Sequence, residues 1–185
     1  MKHKNLLWLV PVLLLVSCIK SPVYPENAGP KTNFLFHNNT NYEFNQFFII
    51  ADTSDFAYHD YQVVDYTLFY CSPGITLQHN SSNIYDAQGK GDILIVHMSC
   101  SGFPLSKSYF SMNSFSAFYI EDIQFLKGYD FDLQYAEDEF EFTDLESGYL
   151  KVEPSNSIKD SYKMDLKFKG LIGKFEGVHT IIKRF

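Results

Sequence analysis

The chain has 185 residues and a formal net charge of −7, with 22 acidic against 15 basic residues. That balance argues against nucleic acid as a partner and against a surface that clings to anionic lipid by charge alone. The length suits one domain with a sizeable core, and aromatic residues are plentiful, with 18 Phe and 13 Tyr.

The first element has the three parts of a secretory signal. Lys2, His3 and Lys4 form a basic head, Leu6 to Val16 an apolar run, and Ser17 a small residue before Cys18. The run would span only about 16 Å at about 1.5 Å per residue, and Pro11 interrupts it, so it is too short to cross a bilayer as a helix. Leu15-Val16-Ser17-Cys18 resembles the lipobox of bacterial lipoproteins. The resemblance implies a signal peptide over residues 1–17, diacylglycerol on the Cys18 thiol, a second acylation such as palmitate on the new amino terminus, and a place in the cell envelope. Loss of Lys2 and Lys4 with the signal would lower the charge by two, from −7 to −9. Residues 18–32 hold Pro22, Pro25, Gly29 and Pro30 without apolar periodicity and read as an extended tether, lipidated at Cys18. No acidic run follows the cysteine, which favours the periplasmic side of the outer membrane over the cell surface.

Residues 33–185 read as an all-β domain, an antiparallel β-sandwich or small β-barrel with at most one short helix. FFIIA (47–51), YTLFY (66–70) and DILIVHM (92–98) are buried-strand candidates. Period-two alternation runs through YDFDLQY (129–135), EFEFTDL (139–145) and SYKMDLKFK (161–169). Turns are expected at Ser72-Pro73-Gly74, Asp86–Gly91, Lys127-Gly128, Ser147-Gly148 and Gly170–Gly173. In residues 111–128, Phe115, Phe118, Tyr119 and Asp122 could mark the one short helix. The stretch from Leu145 to Gly177 loosely resembles the Ser-Gly, strand and long-hairpin ending of small uncharacterised β-rich bacterial lipoproteins.

Setting Cys18 aside leaves Cys71 and Cys100, which an oxidising compartment would pair. Each follows an apolar strand candidate, and the pair could lie at matching ends of neighbouring strands. A disulfide is preferred here to free thiols and to a metal or redox site built on His97 and Cys100, because further ligands at defined spacing are missing. The acids between 121 and 146, with Lys127 the only base, could hold calcium through Asp130, Asp132 and Glu137–Glu139. The preferred reading is a solvated strand face lying across from Lys163, Lys167 and Lys169. No cofactor and no metal are expected.

No nucleophile-elbow, metalloprotease or phosphate-loop motif occurs. The expected function is therefore a membrane-anchored envelope lipoprotein acting as a non-enzymatic binding module, whose partner would be an envelope protein, a glycan or a small hydrophobic ligand. The alternative is an envelope hydrolase with a site assembled from distant residues such as His59, Asp60 and Glu139.

Overall fold

Strands rich in Phe, Tyr, Ile and Val account for most of the described chain. The computed structural model describes residues 33–58, 61–101, 108–110, 119–142 and 148–184. Their strands are β1 (Phe34–His37), β2 (Thr40–Glu43), β3 (Gln46–Tyr58), β4 (Tyr61–Cys71), β5 (Ile75–His79), β6 (Ile84–Ser101), β7 (Ser108–Phe110), β8 (Tyr119–Asp130), β9 (Asp138–Phe142), β10 (Gly148–Pro154), β11 (Ser161–Phe168), β12 (Leu171–Val178) and β13 (Thr180–Arg184). One sheet has six strands in the order β2-β1-β12-β11-β10-β7. The other runs β13-β3-β4-β6-β8-β9, with β5 added to β6 as its seventh strand. No helix occurs among the described residues, and the two sheets do not close into a barrel. The architecture is a β-sandwich.

The pairing is antiparallel except at one edge, where β13 runs parallel to β3. The expected short helix is not formed by Tyr119 and Asp122, which belong to β8; Phe115 and Phe118 lie outside the described residues. Alternation is faithful in β11, where Tyr162, Met164, Leu166 and Phe168 are buried and Lys163 and Lys167 exposed. It misleads in YDFDLQY. There β8 ends at Asp130, whose carboxylate accepts the backbone N–H groups of Asp132 and Leu133, and the chain turns. A side chain that bonds its own downstream backbone competes with the ladder, and here it wins.

Two expected turns are bends within strands. Lys127-Gly128 lies inside β8, at a register shift opposite Gly91 and Ile93. Asp86–Gly91 lies inside β6, which pairs with β5 over its first half and then enters the sheet between β4 and β8. At the bend Gly89 has φ +93°, and a Cβ there would fall 2.1 Å from the Gly74 carbonyl oxygen, so only glycine fits.

The main core lies between the sheets and is filled by rings. Tyr70 stacks on Phe175 at 4.3 Å and donates its hydroxyl to the Met164 sulfur. A second apolar layer covers one end of the outer face of the β3-β4-β6-β8 sheet: Phe48, Ile50 and Ile182 pack against Phe69, Leu77 and Ile84, and Cys71, Ile75 and Ile93 continue it. The β5-β6 hairpin supplies this cover, which is why β3, β4 and β6 carry apolar residues on both faces at that end. No helix of the described residues is long and apolar enough to cross a membrane.

The expected disulfide is not formed: Cys71 and Cys100 are free and buried. They do sit on neighbouring strands, but Cys71 pairs with Ile93 and Cys100 with Val64. Cys71 ends β4 and Cys100 is next to last in β6, and antiparallel neighbours end at opposite edges. Seven register positions at about 3.3 Å each put them about 23 Å apart, far beyond bridging distance. They also face opposite sides of the sheet, Cys100 in the main core and Cys71 in the outer layer. Burial pushes both thiols up to about 12. A Cys18→Ala chain should therefore show no reactive thiol while folded and two after denaturation, with no change in melting temperature on adding reductant. A mass two hydrogens short of the reduced chain would refute this.

His179 is the single residue between β12 in one sheet and β13 in the other. Its Nδ1–H donates to the Gly177 carbonyl, Nε2 is buried without a partner, and Phe47, Tyr70 and Tyr162 surround the ring. Burial lowers its pKa from 6.5 to about 4. Below pH 6.5 the unfolded chain takes up a proton that the folded chain refuses until about pH 4, so acidification favours unfolding in that window. The loss is on the order of 3 kcal/mol. Urea unfolding at pH 7 and pH 4 should show His179→Phe losing less stability on acidification than wild type, by about that amount.

Candidate functional site

The hairpin covers only part of the outer face of the β3-β4-β6-β8-β9 sheet, and the remainder is polar. Pleat parity sends Asp52 of β3, Asp65 and Thr67 of β4, and His97 and Ser99 of β6 to this face, since Ala51, Val64, Tyr66, Val96, Met98 and Cys100 are buried in the core. In β8 the register shifts between His97 and Met98: His97 pairs with Asp122 and Met98 with Ile120, leaving Glu121 without a partner. This bulge makes two consecutive acids, Glu121 and Asp122, face outward between buried Ile120 and Ile123. Bulges commonly re-aim side chains in this way.

Two hydrogen-bonded groups result. His97 Nδ1 lies 2.6 Å from Asp122 Oδ1, and Gln124 Nε2 donates to Asp122 Oδ2 at 2.8 Å. Both carboxylate oxygens are thereby held, and an Nδ1–H that donates to Asp122 leaves His97 Nε2 as the acceptor. Beside it, Ser99 Oγ lies 2.6 Å from Asp65 Oδ1 and 2.9 Å from Glu121 Oε1. One hydroxyl has one proton, so Ser99 serves one carboxylate at a time.

Electrostatics separate this face from the outer face of the other sheet. There the charges alternate in register, Lys163 lying between Glu153 and Glu176, and Asp165 between Lys151 and Lys174. Here Asp52 lies directly opposite Asp65. Glu139 and Glu141 of β9 also face outward, because Phe140 and Phe142 turn inward onto His37, but they lie further along β8, opposite Leu126 and Gln124. Arg184, in register with Asp52, gives its guanidinium to Asn83.

The sequence expectations fare unevenly. Cys18, His59 and Asp60 lie outside the described residues. Glu139 is exposed on the outward face of β9, next to the strand of Asp122 but opposite Leu126, four residues along from it. His97 and Cys100 point to opposite faces, so they do not form a ligand pair. The acids of 130–139 are accounted for locally: Asp130 caps its turn, Glu137 pairs with Lys90 at 2.8 Å, and Asp138 with Lys127 at 2.9 Å. They do not lie across from Lys163 or Lys167, whose strand β11 belongs to the other sheet between β10 and β12. Among the described residues no three His, Cys, Asp or Glu side chains converge as metal ligands would. The His97–Asp122 pair and the Ser99 contacts escaped sequence reading, since non-local strand register makes the first and the Ser99–Asp65 contact, and the bulge adds Glu121.

No family model, curated protein or solved structure matches the chain. The face must be read from its own geometry. Like charges set directly opposite oppose folding, so Asp52→Asn should raise stability by a few tenths of a kcal/mol at low salt, the gain vanishing near 0.5 M salt. Glu176→Gln, which removes an exposed acid set directly opposite Lys163, should lower stability under the same conditions. Parallel urea titrations of the two variants check both signs.

Proposed function

We propose that the protein is an envelope lipoprotein held to the membrane through lipid on Cys18, on the periplasmic side of the outer membrane, and that its β-sandwich is a non-enzymatic binding module. The lipobox-like Leu15-Val16-Ser17-Cys18 supports the anchor. Two or more acyl chains hold a protein firmly, at about 0.8 kcal/mol per buried CH₂. The observation that carries the binding reading is the uncompensated polar face. A sandwich whose other outer face balances its charges in register keeps repelling acids on this one, a cost to stability of the kind retained at functional surfaces.

The His97–Asp122 pair favours a second reading, a hydrolase in which His97 acts as general base. Its weakness is the nucleophile. Ser99 is 0% exposed and its hydroxyl is engaged by carboxylates, so a substrate could not reach it. Water activated by His97 Nε2 would be the remaining nucleophile.

Membrane fractionation tests the anchor: Cys18→Ala should move the folded protein wholly to the soluble fraction, and a wild-type mature terminus without acyl groups would overturn it. Assays with ester and amide probes test the module. Equal, background-level rates for wild type and His97→Gln are expected; a wild-type rate that His97→Gln abolishes would install the hydrolase instead.

A further inference from the structure

We infer that the end of the sandwich at which the chain from Cys18 enters rests its exposed apolar side chains on a zwitterionic lipid surface, an inference that rests on the lipid-anchor reading. Asn33 fixes which end this is. Its carbonyl accepts the Phe44 N–H, and the Asn45 N–H donates to the Cys71 carbonyl, so the chain arrives where β3 begins and β4 finishes. In that sheet Cys71 pairs with Ile93, and Lys90, three residues on, pairs with Asp130, which puts the β8-β9 turn at the same end. In the other sheet the Asn33 N–H donates to the Lys174 carbonyl, and β12 continues to Val178, the partner of Ser161. The β10-β11 loop is therefore there too.

Apolar exposure gathers at this end. Leu133 (73%), Tyr135 (62%), Ile158 (55%) and Val178 (61%) are four of the six large apolar side chains exposed among the described residues; Tyr85 is on the β5-β6 hairpin and Tyr119 at the far end of β8. Two turns, one from each sheet, hold them out and are built alike. The Asp130 carboxylate accepts the Leu133 N–H, and Ser155 Oγ accepts the Ile158 N–H, each from three residues ahead. Backbone bonds between Asp130 and Tyr135, and from Ser161 to Ile158, close the turns. Crests with these groups satisfied can meet an apolar phase without stranding them. Tyrosine beside aliphatic side chains suits a membrane interface. Lys90 and Lys127, beside the first turn, are paired with Glu137 and Asp138, so they leave no free charge there to attract anionic headgroups.

The length of chain before the sandwich names the partner. Fourteen residues lie between Cys18 and Asn33, and coil of that length reaches about 20 Å. β8 alone runs about 36 Å from Tyr119 to Asp130. A lipidated Cys18 thus keeps the Asn33 end beside the bilayer and lets the Tyr119 end stand clear of it. Weak affinity is enough for an end so confined, because the tether holds the lipid at high effective concentration.

Tryptophan fluorescence tests the orientation. Trp8 is the only Trp in the chain and lies in the signal, so the mature wild type has none. Full-length wild type, Leu133→Trp, Ile158→Trp and Tyr119→Trp are reconstituted in phosphatidylcholine vesicles with or without acyl-brominated phosphatidylcholine, whose bromines quench indole on contact. Leu133→Trp and Ile158→Trp should lose about half or more of their emission to the brominated lipid, while Tyr119→Trp keeps nearly all of it. Adding Leu133→Ser and Tyr135→Ser, at two exposed positions, to Ile158→Trp should restore most of the lost emission. Quenching that those substitutions leave unchanged, that is equal at all three positions, or that is absent from Leu133→Trp and Ile158→Trp overturns the inference and leaves the anchor standing. A blue shift in Leu133→Trp without bromine quenching assigns the patch to a second copy of the chain and also overturns it. Emission from the wild type shows Trp8 retained with the signal, which overturns the anchor reading and the inference with it.

Discussion

The register of β6 is the constraint on which the rest depends. This strand is hydrogen-bonded to β5 over its first half and to β4 and β8 over its second. Its pleat therefore assigns faces for the whole sheet. Leu94, Val96, Met98 and Cys100 enter the core while Ile93, Ile95, His97 and Ser99 face outward. A slip of one residue would exchange the two sets and bury His97 and Ser99 among the aromatic rings. Burial of four apolar side chains, each contributing about 1.5–3 kcal/mol, holds that register far more strongly than any polar contact on the outer face.

That security is what lets the outer face depart from good folding practice. At its hairpin-covered end the face adds to stability through Phe48, Ile50, Ile182 and their neighbours. Toward the Ser99 end it spends some of it on carboxylates facing carboxylates. The bulge at Glu121 is the device that concentrates them, and it is paired with a second register shift at Gly128, where Asp92 Oδ1 accepts the Gly128 N–H. Between the two shifts β8 is regular. The polar face is thus built on rigid strands with its key side chains pinned, Asp122 by two donors and Ser99 by whichever of Asp65 and Glu121 takes its one proton.

How much of this was legible in the sequence follows from range. Alternation in SYKMDLKFK and the apolar runs at 47–51, 66–70 and 92–98 are local signals, and they locate strands and a sandwich. The pairing of strands is not local. Cys71 and Cys100 each close an apolar run, which reads as a matched pair until antiparallel order sends the two ends to opposite edges. Lysines of β11 and acids of β9 look complementary along the chain but belong to different sheets. His97 and Asp122 are 25 residues apart and meet through the β6-β8 register, while the bulge just beyond them brings Glu121 to Ser99. Glycine marks a change of direction without saying of which kind: Gly89 and Gly128 lie at bends within long strands, where a positive φ is needed, rather than at strand ends.

The two buried histidines show the same division between packing and polarity. His37 and His179 each give Nδ1–H to a carbonyl, of Gly170 and Gly177, and each leaves Nε2 buried without a partner. An unsatisfied buried acceptor costs about 1–3 kcal/mol. The aromatic packing around each ring offsets it: Phe125, Phe140 and Phe142 around His37, and Phe47, Tyr70 and Tyr162 around His179. These positions join the two sheets, His37 by contact with β8 and β9 and His179 by chain connection. The abundance of Phe and Tyr then has a structural use that extends past filling volume. Rings close the gap between sheets at both histidines, and the charged side chains are left to the outer faces, where water reaches them.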